Sequence, residues 1–292
     1  MKRNIWLAIV LVIGSLGMTA CGNGQEQAAE SPEAEQENGE VPKEEIEENF
    51  SEDNFSSENP SGEETEAAKE TEADGNIYVE MEEYEQEYKA EDGTVLLTVE
   101  NSWPVVVISD NEQAAGAINE EILSSFSMDE TEIRQWAEED YAERGKENWR
   151  NYAFGTGYGL QRADAEVISF RVNSYWDMGG AHPNSMADGM SFSVRTGERL
   201  TLADVTVDEE TAASAVRAFL LEETKKEEYG GMFYEDYEES IGDILTEETW
   251  YLGEDGFHII VNEYIIAPHA AGILDFVIPY GEADFLKEEY RK

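Results

Sequence analysis

Hydrophobic positions change their period several times along this chain, and each change predicts an element. Residues 94–99 (TVLLTV) and 105–108 (VVVI) are β-branched runs interrupted by 101–104, which predicts two strands or one bent strand. The pattern then turns helical: Ala114, Ile118, Ile122 and Phe126 recur at helix spacing, and Ser109 with Glu112 has the spacing of a capping box. Residues 130–141 predict a second helix carrying Ile133, Trp136 and Ala137. From 167 to 176 the period drops to two, with Ile168, Phe170 and Val172 alternating against Ser169, Arg171 and Asn173. Met190, Phe192 and Val194 alternate in the same way, so the two segments read as arms of a hairpin. The turn RTGE (195–198) places Gly197 in the left-handed position. A helix over 208–228 buries Ala212, Val216, Phe219 and Leu220 and stops at Gly230 and Gly231, and 257–266 and 274–278 read as strands before a short terminal helix. Strands and helices clustered in this way predict an α+β fold, antiparallel sheet covered by helices on one face.

The N-terminal pattern is of another kind. Lys2 and Arg3 precede the apolar run 5–16, which is shorter than the roughly 20 residues a spanning helix needs, and Met18, Thr19 and Ala20 lead to Cys21. Residues 1–20 are therefore expected to be a lipoprotein signal peptide, with Cys21 lipidated after cleavage. Cys21 is the single cysteine of the sequence, so stability must come from a packed core. Residues 22–76 carry 19 acidic residues against Lys43 and Lys69 and hold scarcely any aliphatic side chain. Such a segment buries too little apolar surface to offset its chain entropy, and 21–76 is expected to be a disordered tether to the membrane. The remaining 77–292 has 48 acidic and 15 basic residues, a net charge of −33. That charge repels nucleic acid and attracts cations and basic proteins.

Candidate chemistry concentrates in residues 177–185, DMGGAHPNS. Gly179 and Gly180 permit positive φ, Pro183 pushes His182 to extended backbone, and Asn184 favours a turn, all of which describe a rigid connector between strands. Its His182 ring is expected to hydrogen-bond across the loop. The competing reading makes His182 and Asp177 an acid/base pair or metal ligands, yet a metal needs three or four ligands and no second histidine is near in sequence. The spacings among His182, His258 and His269 fit no helical or strand pattern, so no metal or cofactor is expected. GTGYG (155–159) lacks the strand-to-helix context of a phosphate cradle, and YEDYEES (234–240) lacks the ligand alternation of a calcium loop. Among the aromatic residues, Trp176 at the strand end beside the loop is the one expected to be exposed; with Asp177, His182 and Asn184 it forms the candidate binding set.

GGAHPN (179–184), RTGERLTLADV (195–205) and YIIAPHAAGILDFVIPY (264–280) together resemble an extracellular module, domain-of-unknown-function family 3298. The region before it is similar to the deacetylase-associated family 4163, which gives expected modules at 77–175 and 176–292. His269 stands where the resemblance implies an aromatic residue. The pair of modules occurs in ectodomains of lysozyme-sensing anti-sigma-V factors and in non-catalytic regions of peptidoglycan deacetylases. The resemblance thus implies an extracytoplasmic ectodomain, anchored to the cell membrane through the Cys21 lipid. It would bind an envelope partner without catalysis, a lysozyme-type muramidase or other basic protein. A hydrolase or amidase acting through His182 and nearby carboxylates is the runner-up from a different class, and a binder of peptidoglycan fragments is the third reading.

Overall fold

The computed structural model describes residues 71–74, 76–125 and 130–292. The signal peptide, Cys21 and the tether as far as residue 70 lie outside the described residues. The described residues form two sheets, one of six strands and one of three, each with its strands side by side in chain order. Within the stretch 21–76 expected to be a tether, β1 (Thr71–Asp74) pairs antiparallel with β2 (Ile77–Lys89).

The interrupted apolar run is one strand, β3 (Val95–Ile108), paired with β2 along its whole length and through Pro104. It holds β4 (Tyr152–Ala163) only from Leu97 to Asn101, then leaves it. The backbone that β4 no longer reaches is satisfied by a side chain: Asn119 Oδ1 accepts from Val106 N (2.8 Å) and Asn119 Nδ2 donates to Val106 O (2.8 Å). Asn119 belongs to α1 (Glu112–Ser125), whose Ile118 and Ile122 are buried against Val106, Ile108, Phe170 and Phe192. Residue 111, not Ser109, caps this helix, since Asn111 Oδ1 accepts from Ala114 N at 3.2 Å. α2 (Glu130–Arg144) packs Ile133 and Ala137 on Leu97, Val99 and Tyr152. The two helices form the long crossover that a parallel pair requires, and β3 and β4 are indeed parallel. The fold is the expected α+β one, with this single parallel pair added: among the described residues the other ladders are antiparallel.

β5 (Val167–Asp177) and β6 (Asn184–Ser193) are the predicted hairpin, in register from Val167↔Ser193 to Trp176↔Asn184. A module boundary at 175/176 falls inside β5. Gly197 has the expected positive φ, 76°. After the capping box of α3 (Leu202–Val205), Asp208 caps α4 (Glu209–Glu223), accepting from Thr211 N at 2.9 Å. α4 ends five residues short of the expected 228, where Thr224 Oγ1 donates back to Leu220 O (2.7 Å). α5 (Tyr237–Ser240) is a single turn, and the expected terminal helix is one 3₁₀ turn at Glu288–Tyr290.

Even-numbered residues of β5 and β6 face α1, and odd-numbered ones meet the small sheet, β7 (Trp250–Leu252), β8 (Gly256–Val261) and β9 (Leu274–Pro279). The contact is backbone-close. Gly189 N donates to Glu248 O at 2.6 Å, and a Cβ on Gly189 would overlap the Trp250 carbonyl. Ser169 Oγ donates to Leu252 O, and Leu252 N to Ser191 Oγ at 3.1 Å. Small and hydroxylic residues occupy that strand face because a second backbone lies on it. Beyond it, α4 closes a core with Trp250, Phe257, Phe276 and Phe285.

Candidate functional site

The loop between β5 and β6 is tied down along its first half. Asp177 Oδ1 accepts from Gly179 N (2.8 Å), Gly179 takes φ 71°, and Arg150 Nη1 donates to Gly180 O (3.0 Å). Of the two glycines, positive φ is thus needed at 179 alone. His182 Nδ1 lies 2.8 Å from Pro183 O, and a carbonyl only accepts, so Nδ1 carries the proton. The other nitrogen, Nε2, hydrogen-bonds with Tyr264 Oη at 3.2 Å. The ring is bonded not merely within its own loop but to another loop 82 residues away.

That second loop joins β8 to β9 and meets His182 face to face. The rings of His182 and His269 stack with centroids 4.0 Å apart and 14° between planes, and Tyr264 stacks on His269 at 5.9 Å and 16°. His269 therefore serves as an aromatic plate, which suits a position where an aromatic residue was expected. Its Nδ1 is 2.8 Å from Glu263 Oε2, a carboxylate only 8% exposed, which accepts the Nδ1 proton and fixes the ring. Tyr264 has φ 65°, left-handed backbone in a non-glycine residue, and remains 50% exposed. Ile265 at 47% and Tyr234 at 37% are exposed as well, and Tyr234 N donates to Ile266 O at 3.0 Å. Glu235, Asp236, Glu238 and Glu239 follow, all exposed.

Of the expected binding residues, the structure brings His182 into this cluster and leaves Asp177 and Asn184 at the loop's two ends. Trp176 is a correction. It is half-buried, on the strand face shared with Val172, whereas its neighbour Tyr175 points the other way and is 41% exposed. Sequence reasoning missed Tyr264, Glu263 and Asn262, since nothing in the chain's local pattern signals contacts to a loop some 80 residues earlier.

Two further polar groups lie elsewhere. His258 on β8 sits between two carboxylates, Nδ1 2.8 Å from Asp275 Oδ1 and Nε2 2.8 Å from Asp255 Oδ1. Asp188 on β6 has its carboxyl pushed up to about 6, first by burial and then by Glu248, with Arg199 opposing. Among the described residues no group of three or more His, Cys, Asp or Glu is placed to hold a metal ion. A shallow cleft of about 270 Å³ opens between Asn111, Glu166 and Arg195, lined by none of the residues of the two-loop cluster.

Residues 203–281 match the family described as protein of unknown function DUF3298, and residues 90–185 match the family described as deacetylase PdaC. The chain carries a DUF3298 module preceded by a PdaC-like one. A crystal structure of a DUF3298 family member from Bacteroides fragilis superposes with TM-score 0.51 at 18% identity, over 72% of this chain and 94% of that one. A second DUF3298 family structure, from Pseudomonas aeruginosa, gives TM-score 0.45 at 16% identity, over 72% and 95%. At such identities the Bacteroides structure shows the fold alone. No curated protein matches the chain. The two-loop cluster spans both matches, with His182 at the end of the PdaC-like region and Tyr264 and His269 inside the DUF3298 region.

Proposed function

We propose that this protein is a non-catalytic surface ectodomain, anchored by a lipid on Cys21, that binds a basic envelope protein of the lysozyme type through the two-loop face. The observation that carries the proposal is Tyr264. A large side chain is held outward from strained backbone by a histidine stack, and such rigid, half-desolvated aromatic groups are what interface anchors consist of. Ile265 and Tyr234 extend the apolar centre, and the four acids at 235–239 supply a charged rim. The net charge of −33 over 77–292 steers cationic partners toward it. The hydrolase alternative calls on His182 with nearby carboxylates, whereas the groups bonded to its ring are the Pro183 carbonyl and the Tyr264 hydroxyl.

Calorimetry of the chain from Gly22 onward against a basic lysozyme tests this, with an unrelated protein of similar size and charge as control. Exposed charges are screened beyond about 8 Å at physiological salt, so attraction by charge alone fades there. The expected result is retained lysozyme binding at physiological salt and none to the control. Equal binding to both, lost together as salt rises, contradicts the proposal, and binding of muropeptides in place of lysozyme redirects it to peptidoglycan.

A further inference from the structure

The array around His258 joins every strand of the small sheet to the large one. On β7, Tyr251 stacks on the His258 ring (centroids 4.4 Å, 18°) and donates from Oη to Asp275 Oδ2 at 2.7 Å. On β9, Asp275 meets His258 Nδ1, and on the β7–β8 turn Asp255 meets Nε2. From β5 of the large sheet, Arg171 Nε approaches Asp275 Oδ2 at 3.6 Å, too far for a hydrogen bond but close enough for charge attraction. These are the groups that face the ring, and the His258 side chain is only 12% exposed.

Chemistry fixes the ring's state. A carboxylate oxygen accepts and does not donate, so only an imidazolium can bond to carboxylates through both nitrogens. In the neutral ring one nitrogen would turn a lone pair toward a carboxylate 2.8 Å away. We propose that His258 is a proton-dependent clamp at the base of the 262–273 loop, holding that loop in place while the ring is charged and releasing it when the ring is neutral. Position makes the coupling direct. The loop leaves β8 three residues after His258 and enters β9 just before Asp275, with Ile260↔Asp275 and Val261↔Leu274 as the last pairs below it. It is also the loop that carries Tyr264 and His269.

Burial alone would lower the affinity of His258 for its proton; the hydrogen bonds and charges of Asp275 and Asp255 more than reverse this, and the net direction is upward. Asp255, 70% exposed and held low by its bond to His258, keeps its charge, which leaves the proton on the ring. A histidine held higher in the folded than in the unfolded chain contributes its stabilisation fully below the unfolded value. The contribution is lost as pH rises through the folded one, so the clamp opens on the alkaline side.

The test follows the imidazole nitrogens by NMR in the chain from Gly22 onward between pH 5 and 9, alongside hydrogen exchange corrected for intrinsic rates. His258 should carry both protons at pH 7, and protection of amides 253–256 and 262–273 should fall several-fold as the ring loses its charge. Asp255→Asn should move that midpoint to lower pH. A neutral His258 at pH 7, or loop protection unchanged while the ring titrates, overturns the proposal. Both readouts are independent of any partner, so failure here and failure of the lysozyme reading are separate outcomes.

Discussion

Asn262 binds the backbone of Ala187 at both ends of its amide, Oδ1 accepting from Ala187 N at 2.7 Å and Nδ2 donating to Ala187 O at 2.9 Å. Ala187 is fully buried on the outer strand of the large sheet, and its N–H and C=O have no further strand to pair with. One side chain thus closes the sheet edge and seats the loop that carries Tyr264. Asn262→Ala leaves a buried donor and acceptor unsatisfied, and should cost about 1–3 kcal/mol in urea unfolding. Asn262→Asp should cost at least as much, since it removes the donor and adds a charge.

The hairpin loop discriminates between its two glycines. Gly179 has φ 71°, and a Cβ there would come within 3.3 Å of Arg144 Nη1, whereas Gly180 has ordinary backbone and its nearest new contact is 3.8 Å away. Gly179→Ala should therefore lower stability by about 1 kcal/mol or more. Gly180→Ala should leave the melting temperature nearly unchanged. Equal effects from the two substitutions would contradict the backbone assignment.

Asp188 gives a pH dependence of opposite sign to the usual carboxylate. Its folded value, about 6, lies above the ordinary range, so the folded chain binds a proton that the unfolded chain releases. Stability from this group is present in acid and lost as pH rises from about 4 to 6, with the ionised carboxylate disfavoured above that. Asp188→Asn mimics the protonated form. It should raise the melting temperature at pH 7.5 and change it little at pH 4.5, which calorimetric scans of both proteins at the two pH values would check.

Much of this architecture is legible in residue order, for reasons the structure makes plain. Alternation over 167–176 and 190–195 reports one strand face against α1 and one against the small sheet, so hairpin and register follow from it. The helical stripe Ala114–Ile118–Ile122 reports burial of the same directness. Legibility ends where a distant partner decides. Ser109 has the spacing of a cap, yet Asn111 takes that role while its Nδ2 donates to Val194 O and Arg195 O, contacts over 80 residues away. Trp176 and Tyr175 exchange the expected exposure because strand parity, not ring size, chooses the face. His182 drew attention for its own loop, but its partners Tyr264 and His269 arrive from the far end of the chain.

Tyr264 is the proposed anchor, and Tyr264→Gly isolates it. Glycine adopts φ 65° without the strain, about 1 kcal/mol or more, that a side chain carries there, which offsets the lost stack and the lost bond to His182. The variant should remain folded, with a melting temperature within a few degrees of the parent. Net charge is unchanged, so electrostatic steering is unchanged too. The deciding measurement is the affinity of parent and variant for a basic lysozyme, by calorimetry at physiological salt. The parent should bind, and Tyr264→Gly should weaken binding at least tenfold, about 1.4 kcal/mol. Equal affinities for parent and folded variant would contradict the anchor role.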